Sequence, residues 1–414
     1  RLNQAESERI ARAFKLAGHA LVDSEAEADL KIVNSCTVTN AAGVDSRRAA
    51  RRSHEDQRVV VTGCHSEVAP NDFSAADEVV SNADKENLAA LVMERFGMEG
   101  IALGMDQHGA EKQIFPLALK STRAFVKIQD GCDLSCSFCL TTLARGPSRS
   151  RSADEIVDEV RQLCSDGCIE VVLTGVHAGS YGLDLDEDLA WLVNEILQRT
   201  EIPRLRLSSL EPWNFRPHWM DLWESYRGRL CRHLHMSLQS GCDRILPLMR
   251  RGYDTASFAE KLAVTRVSVP DMAHTTDIIV GFPGETEADH EESLAFVTSC
   301  RFSGAHVFTY SPRPGTAAAA LPQTVDADTK RRRAREMRAV VSAGETAFHE
   351  AAMGQPHLVL WEDNIREGLR TGLTDHYIKV HAPADTVSAN TLRRMVPTER
   401  DEKGRVKVVP APTK

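Results

Sequence analysis

Cys132, Cys136 and Cys139 stand at C-x3-C-x2-C, with Phe138 immediately before the last of them. Three thiolates can hold three irons of a [4Fe–4S] cube and leave the fourth iron without a protein ligand. An open iron on a low-potential cluster is a place for chemistry as well as for electron storage. A structural zinc site wants four protein ligands in a tetrahedron, and this segment offers no fourth Cys or His. A three-cysteine zinc site closed by a distant histidine, or three unrelated buried thiols, are the other readings.

At 414 residues, 42% of them apolar, the chain has material for two or three domains with real cores. No apolar run approaches the roughly 20 residues that span a bilayer, so a membrane protein is not expected. Ten cysteines in a chain of this size fit a reducing, cytoplasmic setting better than a secreted disulfide scaffold. Cys164, Cys168, Cys231, Cys242 and Cys300 lack ligand spacing and read as core residues. The net charge of −9 argues mildly against a dedicated nucleic-acid binder. Local charge argues the other way, because arginines concentrate at Arg47–Arg52, Arg145–Arg151 and around Arg331, Arg332 and Arg333. A solvated helix face is the plain alternative for each.

Residues 1–110 read as an open α/β domain with a parallel sheet. A helix over 4–17 is followed by strands at 30–34, 58–62 and 78–81, with a helix over 39–52 and another capped by Asp84. Cys36 and Cys64 fall just past the carboxyl ends of the first two strands, the edge where ligands bind in such sheets. Residues 103–116 read as a connector.

Residues 117–352 alternate again. Strands at 124–128, 170–174, 204–208, 234–238, 275–280 and 306–310 give six β/α steps, a partial (β/α)6 barrel. In a parallel barrel the site is built where the strands end. Gly175, Glu211 and Gln239 follow strands there, and Asp277 is polar within an apolar strand. Arg145, Arg149 and Arg151 follow the cysteine loop and suit planar oxyanions such as phosphate or carboxylate. A helix over 325–352, basic at its start, leads into residues 355–414. Short strands at 358–362, 367–370, 377–381 and 406–409 predict a small β-barrel. Arg366, Arg370, Lys379, Arg393 and Arg394 could contact phosphates there, which gives affinity without sequence information.

The cysteine motif with its aromatic resembles the signature of the radical S-adenosylmethionine (radical SAM) enzymes. Residues 127–151 resemble the methylthiotransferases among them. Residues 127–131 (KIQDG), 237–241 (SLQSG), 275–285 (TTDIIVGFPGE) and 306–316 (HVFTYSPRPGT) are similar to the branch that acts on N6-threonylcarbamoyladenosine in tRNA. Residues 140–143 (LTTL) depart from it, since the family usually has a proline there. The last module resembles the TRAM domain, a small RNA-binding β-barrel, in Gly372, Tyr377 and Asn390.

The resemblance implies two [4Fe–4S] clusters and SAM. Cys132, Cys136 and Cys139 would hold the radical-SAM cluster, and Phe138, Gly175, Glu211, Gln239 and Asp277 would line the SAM site. Cys36 and Cys64 would hold an auxiliary cluster, with a third cysteine expected immediately before Arg1. Arg331, Arg332, Arg333, Arg370 and Lys379 are the candidate tRNA contacts. The implied reaction is methylthiolation of C2 of the modified adenosine at tRNA position 37. That C–H is not acidic, so no side-chain base of ordinary pKa could take its proton, and a radical generated from SAM would remove the hydrogen instead. A monomeric cytoplasmic enzyme is expected, served by a low-potential electron donor such as flavodoxin or ferredoxin. The alternatives are the same chemistry on isopentenyladenosine tRNA or on an aspartate of ribosomal protein S12. A non-catalytic metal-binding RNA-binding protein would be a different class.

Overall fold

The structure is a computed structural model that describes residues 2–98, 122–322 and 324–412. The expected connector at 103–116 lies outside the described residues. Contacts divide the chain into two compact units. The first comprises the described residues up to 98 with Asp130–Ser135 and Cys139–Arg149, and the second the remaining described residues. Cys132 and Cys139 therefore fall in the first unit, and Cys136 and Phe138 in the second.

In the first unit, strands β1 (Leu30–Ser35), β2 (Arg58–Gly63) and β3 (Glu78–Val79) form a parallel sheet in that order. Helices α1 (Leu2–Leu16), α2 (Asn40–Ala49), α3 (Cys64–Val68) and α4 (Leu88–Phe96) accompany it. The central strand shows why the fold forms. Val59, Val60 and Val61 are all fully buried, as expected of a parallel strand covered on both faces. Alternation sends Val60 toward Ile10 and Phe14 of α1 and Leu88 and Val92 of α4, and sends Val59 and Val61 toward Val33 and Phe73. The helix expected over 39–52 starts as predicted, its cap Thr39 accepting from the Ala42 amide, but ends at Ala49. The last helix opens with a 3-10 turn at Lys85–Asn87 rather than directly at the Asp84 cap.

The second unit begins with β4 (Arg123–Asp130). The cysteine loop, the short helix α5 (Thr141–Arg145) and β5 (Arg149–Ser150) follow in sequence. Strands β6 (Glu170–Gly175), β7 (Arg204–Leu207), β8 (Ser209–Leu210), β9 (His233–Met236), β10 (Ala273–Val280) and β11 (Gly304–Thr309) continue it. Sheets in the orders β5-β4-β6-β7 and β8-β9-β10-β11 meet where Ser208 interrupts one strand, and pairing among β4, β6 and β7 and from β8 to β11 is parallel. With β7 and β8 counted as one broken strand, this is the expected half-barrel.

Helices α6 (Ala153–Ser165), α7 (Leu189–Arg199), α8 (Asp221–Ser225), α9 (Ile245–Leu248), α10 (Thr255–Ser268) and α11 (Glu287–Cys300) connect the strands. Ser152 and Asp188 cap α6 and α7, and capping boxes start α10 and α11. The long α12 (Ala327–Ala352) packs on β10, β11 and α11.

The C-terminal module is a closed five-stranded barrel of β12 (His357–Arg366), β13 (Leu369–Thr374), β14 (Lys379–Pro383), β15 (Thr391–Arg400) and β16 (Val406–Pro410). Its core is built on Trp361, Val359, Val380, Met395 and Val406. Two details differ from expectation. Glu367 and Gly368, both at positive φ, make the hairpin turn, so the strand predicted at 367–370 begins at Leu369. The strand β15 was not expected at all.

Candidate active site

The first unit places two cysteines side by side. The β1–β2 register pairs Ser35 with Gly63, so Cys36 and Cys64 are the first residues beyond the sheet on adjacent strands. Gly63 has φ +104°, and a Cβ there would stand 2.3 Å from the Ser35 carbonyl oxygen. Only glycine lets the two strand ends close in this way. The Ser35 hydroxyl accepts from the Ser66 amide at 3.0 Å, fixing the first turn of α3 and so the backbone of Cys64. The amide of Cys36 donates to the Ser46 hydroxyl at 3.0 Å.

Arg145, at the end of α5, is buried against Cys64. Its Nε donates to the Cys64 sulfur at 3.0 Å. Its two terminal nitrogens grip the Glu6 carboxylate at 2.7 and 3.1 Å. It also reaches Asp130 at 2.9 Å. Lys85 joins from the other side, with Nζ 3.0 Å from Glu6. Burial alone would raise the Glu6 pKa, but Arg145 and then Lys85 outweigh it and hold the carboxyl at about 2. Burial pushes the Cys64 thiol up, and Arg145 opposes that rise. Arg145 had read as a loop oxyanion contact; the structure makes it an interior residue.

The cysteine loop has its own fastening. Gly131 has φ +73°, and a Cβ there would lie 1.8 Å from the Pro147 carbonyl oxygen. This close approach lets the Cys132 amide donate to the Gly146 carbonyl at 3.0 Å. The Cys139 sulfur accepts from the Thr141 amide at 3.3 Å. No proline is needed at 140–143, since Thr142 ties the turn by donating to the Leu134 carbonyl at 2.9 Å.

In the second unit a network runs along the carboxyl ends of the strands. Arg251 donates to the Cys136 sulfur at 3.3 Å and pairs with the Glu211 carboxylate. Its guanidinium lies over the rings of Trp213 and Tyr253, at 4.7 and 5.4 Å. Trp213 meets His177 edge to face, and His177 Nε2 lies 2.6 Å from the Asn214 side-chain oxygen. The His177 amide donates to Gln129 at 2.9 Å, and a Cβ at Gly175 would collide with that Gln129 oxygen. Gly175, Glu211 and Cys136 are thus joined through residues that sequence reasoning passed over: Arg251, Trp213, His177 and Asn214. The only sequence signal for Arg251 was an arginine pair, which reads as surface.

The other expected site residues are placed as follows. Gln239 has φ +63° and sits against β10, its amide donating to the Asp277 carbonyl at 2.8 Å. The Asp277 carboxylate is 3.3 Å from His235. Phe138 packs with Met249, Phe282 and Tyr310 in an apolar cluster, and Ser137 beside it donates to the Leu248 carbonyl at 2.7 Å. Cys168, Cys231, Cys242 and Cys300 are buried free thiols, in keeping with a core role, whereas Cys164, expected in the core as well, is only half-buried.

The basic start of α12 is mostly neutralised. Arg333 is buried and bonded to Glu285 at 2.8 Å, Arg332 pairs with Glu287 at 2.7 Å, and Arg331 pairs with Asp328. Arg333 therefore fastens α12 to the turn after β10 and does not face solvent. Arg370 donates to the Glu362 carbonyl and to Asp363, both at 3.1 Å, while Lys379 is exposed. Of the arginines after the cysteine loop, Arg149 is exposed and Arg151 is bonded to Lys127 and Glu159.

Comparison with known proteins agrees with this architecture. Residues 126–297 match the Radical SAM superfamily, and residues 1–83 match a family described as Uncharacterized protein family UPF0004. The chain is 35% identical to the threonylcarbamoyladenosine tRNA methylthiotransferase MtaB of Bacillus subtilis, over 92% of this chain and 88% of that one. It is 31% identical to the MtaB of Thermotoga maritima, over 92% and 88%. The tRNA-2-methylthio-N(6)-dimethylallyladenosine synthase of Moorella thermoacetica is 32% identical over 87% and 85%. Among solved structures, the radical S-adenosylmethionine methyltransferase TsrM of Kitasatospora setae shares the fold at a TM-score of 0.53 and 15% identity, covering 72% of this chain and 67% of that one. With identities above 30% maintained across nearly its whole length, the chain belongs to the radical SAM methylthiotransferase family.

Proposed function

We propose that this protein replaces the C2 hydrogen of N6-threonylcarbamoyladenosine at tRNA position 37 with a methylthio group. The observation that carries the reading is the Cys136–Arg251–Glu211 network beside the strand ends, in a chain whose MtaB-named relatives match 92% of its length. Dimethylallyladenosine tRNA is the nearest other substrate, given the Moorella relative.

The donor set fits two clusters. Cys132, Cys136 and Cys139 would hold one, and Cys36 and Cys64 would supply ligands to the other. None of the five is in a disulfide, and the sulfurs of Cys64, Cys136 and Cys139 already meet N–H donors, as suits thiolates bound to iron. When bound, the first cluster supplies the electron and the open iron for reductive cleavage of SAM.

The chain's own residues do the rest. Arg251 holds the Cys136 sulfur and the Glu211 carboxylate in one plane of hydrogen bonds. Glu211 is left with acceptor capacity for a ribose diol or an amine. Gly175 leaves room for the Gln129 amide that orders this strand end, Gln239 and Asp277 border the same edge, and Phe138 offers an apolar face to adenine. On the C-terminal barrel, Lys379 and the exposed arginines meet phosphate, with Arg331 and Arg332 of α12 as weaker contributors because carboxylates already occupy them.

We propose three domains, residues 1–110, 117–352 and 355–414. We place the enzyme in the cytoplasm as a monomer served by a low-potential donor such as a flavodoxin or ferredoxin. Among the described residues no helix is long and apolar enough to cross a membrane.

Mass spectrometry of tRNA nucleosides from a strain lacking the gene tests the substrate. Loss of the methylthiolated threonylcarbamoyl nucleoside, with its unmodified precursor accumulating, is expected. Loss of the methylthiolated dimethylallyl nucleoside instead would overturn the assignment.

A further inference from the structure

Arg145 has an acceptor for each of its five N–H bonds. Nε serves the Cys64 sulfur at 3.0 Å. Nη1 serves Glu6 at 2.7 Å and Asp130 at 2.9 Å. Nη2 serves Glu6 at 3.1 Å and Asn3 at 3.4 Å. Its side chain is only 2% exposed, and that of Glu6 3%. Burying a guanidinium this deeply is costly unless its charge and its geometry are both matched. Here the bidentate carboxylate fixes the plane of the fork, and the plane leaves Nε no direction except toward sulfur. The partners come from three places in the chain, the first turns of α1, the end of β4 and the start of α3, and Arg145 itself ends α5.

We propose that Arg145 is the positioning residue for the Cys64 sulfur, setting both its place and its electron density as a ligand of the auxiliary cluster. The inference rests on the reading that Cys64 binds that cluster. An N–H pointed at a ligand thiolate withdraws charge from it and stabilises the reduced, more negative cluster, so the potential rises. Because the same fork holds Asp130, two residues before Cys132, any shift of Arg145 also moves the start of the other cysteine loop. A lysine at this position would keep the charge and lose the planar fork.

The test uses the full chain with Cys132, Cys136 and Cys139 all changed to Ala, so that only the auxiliary cluster forms on anaerobic reconstitution with iron and sulfide. Into this parent go Arg145→Lys, Glu6→Gln or Cys64→Ala. Iron and sulfide per chain, the EPR spectrum of the reduced cluster and its midpoint potential are read. Arg145→Lys is expected to keep iron within twofold of the parent, to change the EPR g-values and to move the potential negative. Glu6→Gln, which leaves Arg145 in place but loosens its fork, changes the EPR g-values by less, and carries the test should Arg145→Lys not fold. An unchanged spectrum and potential in a folded Arg145→Lys protein, or in Glu6→Gln if that is the folded one, would overturn the inference. A parent that binds no cluster, or a Cys64→Ala protein that keeps the parent's cluster, would instead overturn the ligand assignment beneath it.

Discussion

Two arginines, Arg145 and Arg251, decide the local chemistry, and both reach their partners across long stretches of chain. Arg145 lies 139 residues from Glu6 and 81 from Cys64. Arg251 lies 115 residues from Cys136. The cysteines themselves were legible, because their spacing is local. Arginine burial was not, because a charged residue is buried only when tertiary partners compensate it, and no local pattern announces them. Two predictions belong at this scale. Changing Arg251 to Lys keeps a charge but loses the stacked, planar contact, and should weaken SAM binding by about tenfold, or ~1.4 kcal/mol, measured by calorimetry on the reconstituted protein. Glu6 has a folded pKa of about 2 against an ordinary 4.5. A depressed carboxylate stabilises fully above its unfolded pKa and loses that contribution as pH falls through its folded one. The shift corresponds to roughly 3 kcal/mol. The melting temperature of Glu6→Gln should therefore lie below wild type at pH 7 and converge on it between about pH 4.5 and 2.

The elements that carry the cysteines depend on two close backbone approaches. The end of β1 meets Gly63, and Gly131 meets Pro147. Gly131→Ala would place a methyl group where the Pro147 carbonyl stands, at a φ that disfavours any Cβ. The loop would then lose its Cys132–Gly146 bond, and iron per chain should fall by about half as one of the two clusters is lost. Colorimetric iron analysis checks this. Strand and helix order was readable in the sequence because apolar runs such as 59–61 and caps such as Ser152 are local signals. The strand β15 escaped because its Leu392, Met395 and Val396 do not alternate, and only Met395 and Pro397 are buried along it. Barrel closure places that strand, not its own pattern.

Within the second unit, the C-terminal barrel and the half-barrel share a charged interior. Glu170 is fully buried between Arg204 and Arg206. These two arginines also donate to the carbonyls of Leu373 and Thr374 at the end of β13 and of Asp375 just after it. Arg232 grips the Asp375 carboxylate at 2.6 Å. The barrel is thus fastened into the interior of the second unit by buried ions. Deleting residues 355–414 would expose these ions and leave them short of partners, so the truncated protein should melt at markedly lower temperature, as differential scanning calorimetry would record. Lys379→Glu, on the exposed face, should weaken tRNA binding and its salt dependence while leaving the melting temperature unchanged.

The central claim, methylthiolation at C2 of threonylcarbamoyladenosine, is tested most directly by incubating the reconstituted enzyme with SAM, a low-potential reductant and tRNA that carries the threonylcarbamoyl modification. The nucleosides are then analysed by mass spectrometry. The account predicts that the threonylcarbamoyl nucleoside gains one methylthio group in place of a hydrogen, and that Cys136→Ala and Cys64→Ala proteins produce none. An unaltered threonylcarbamoyl nucleoside, with a dimethylallyl-modified tRNA methylthiolated under the same conditions, would contradict it.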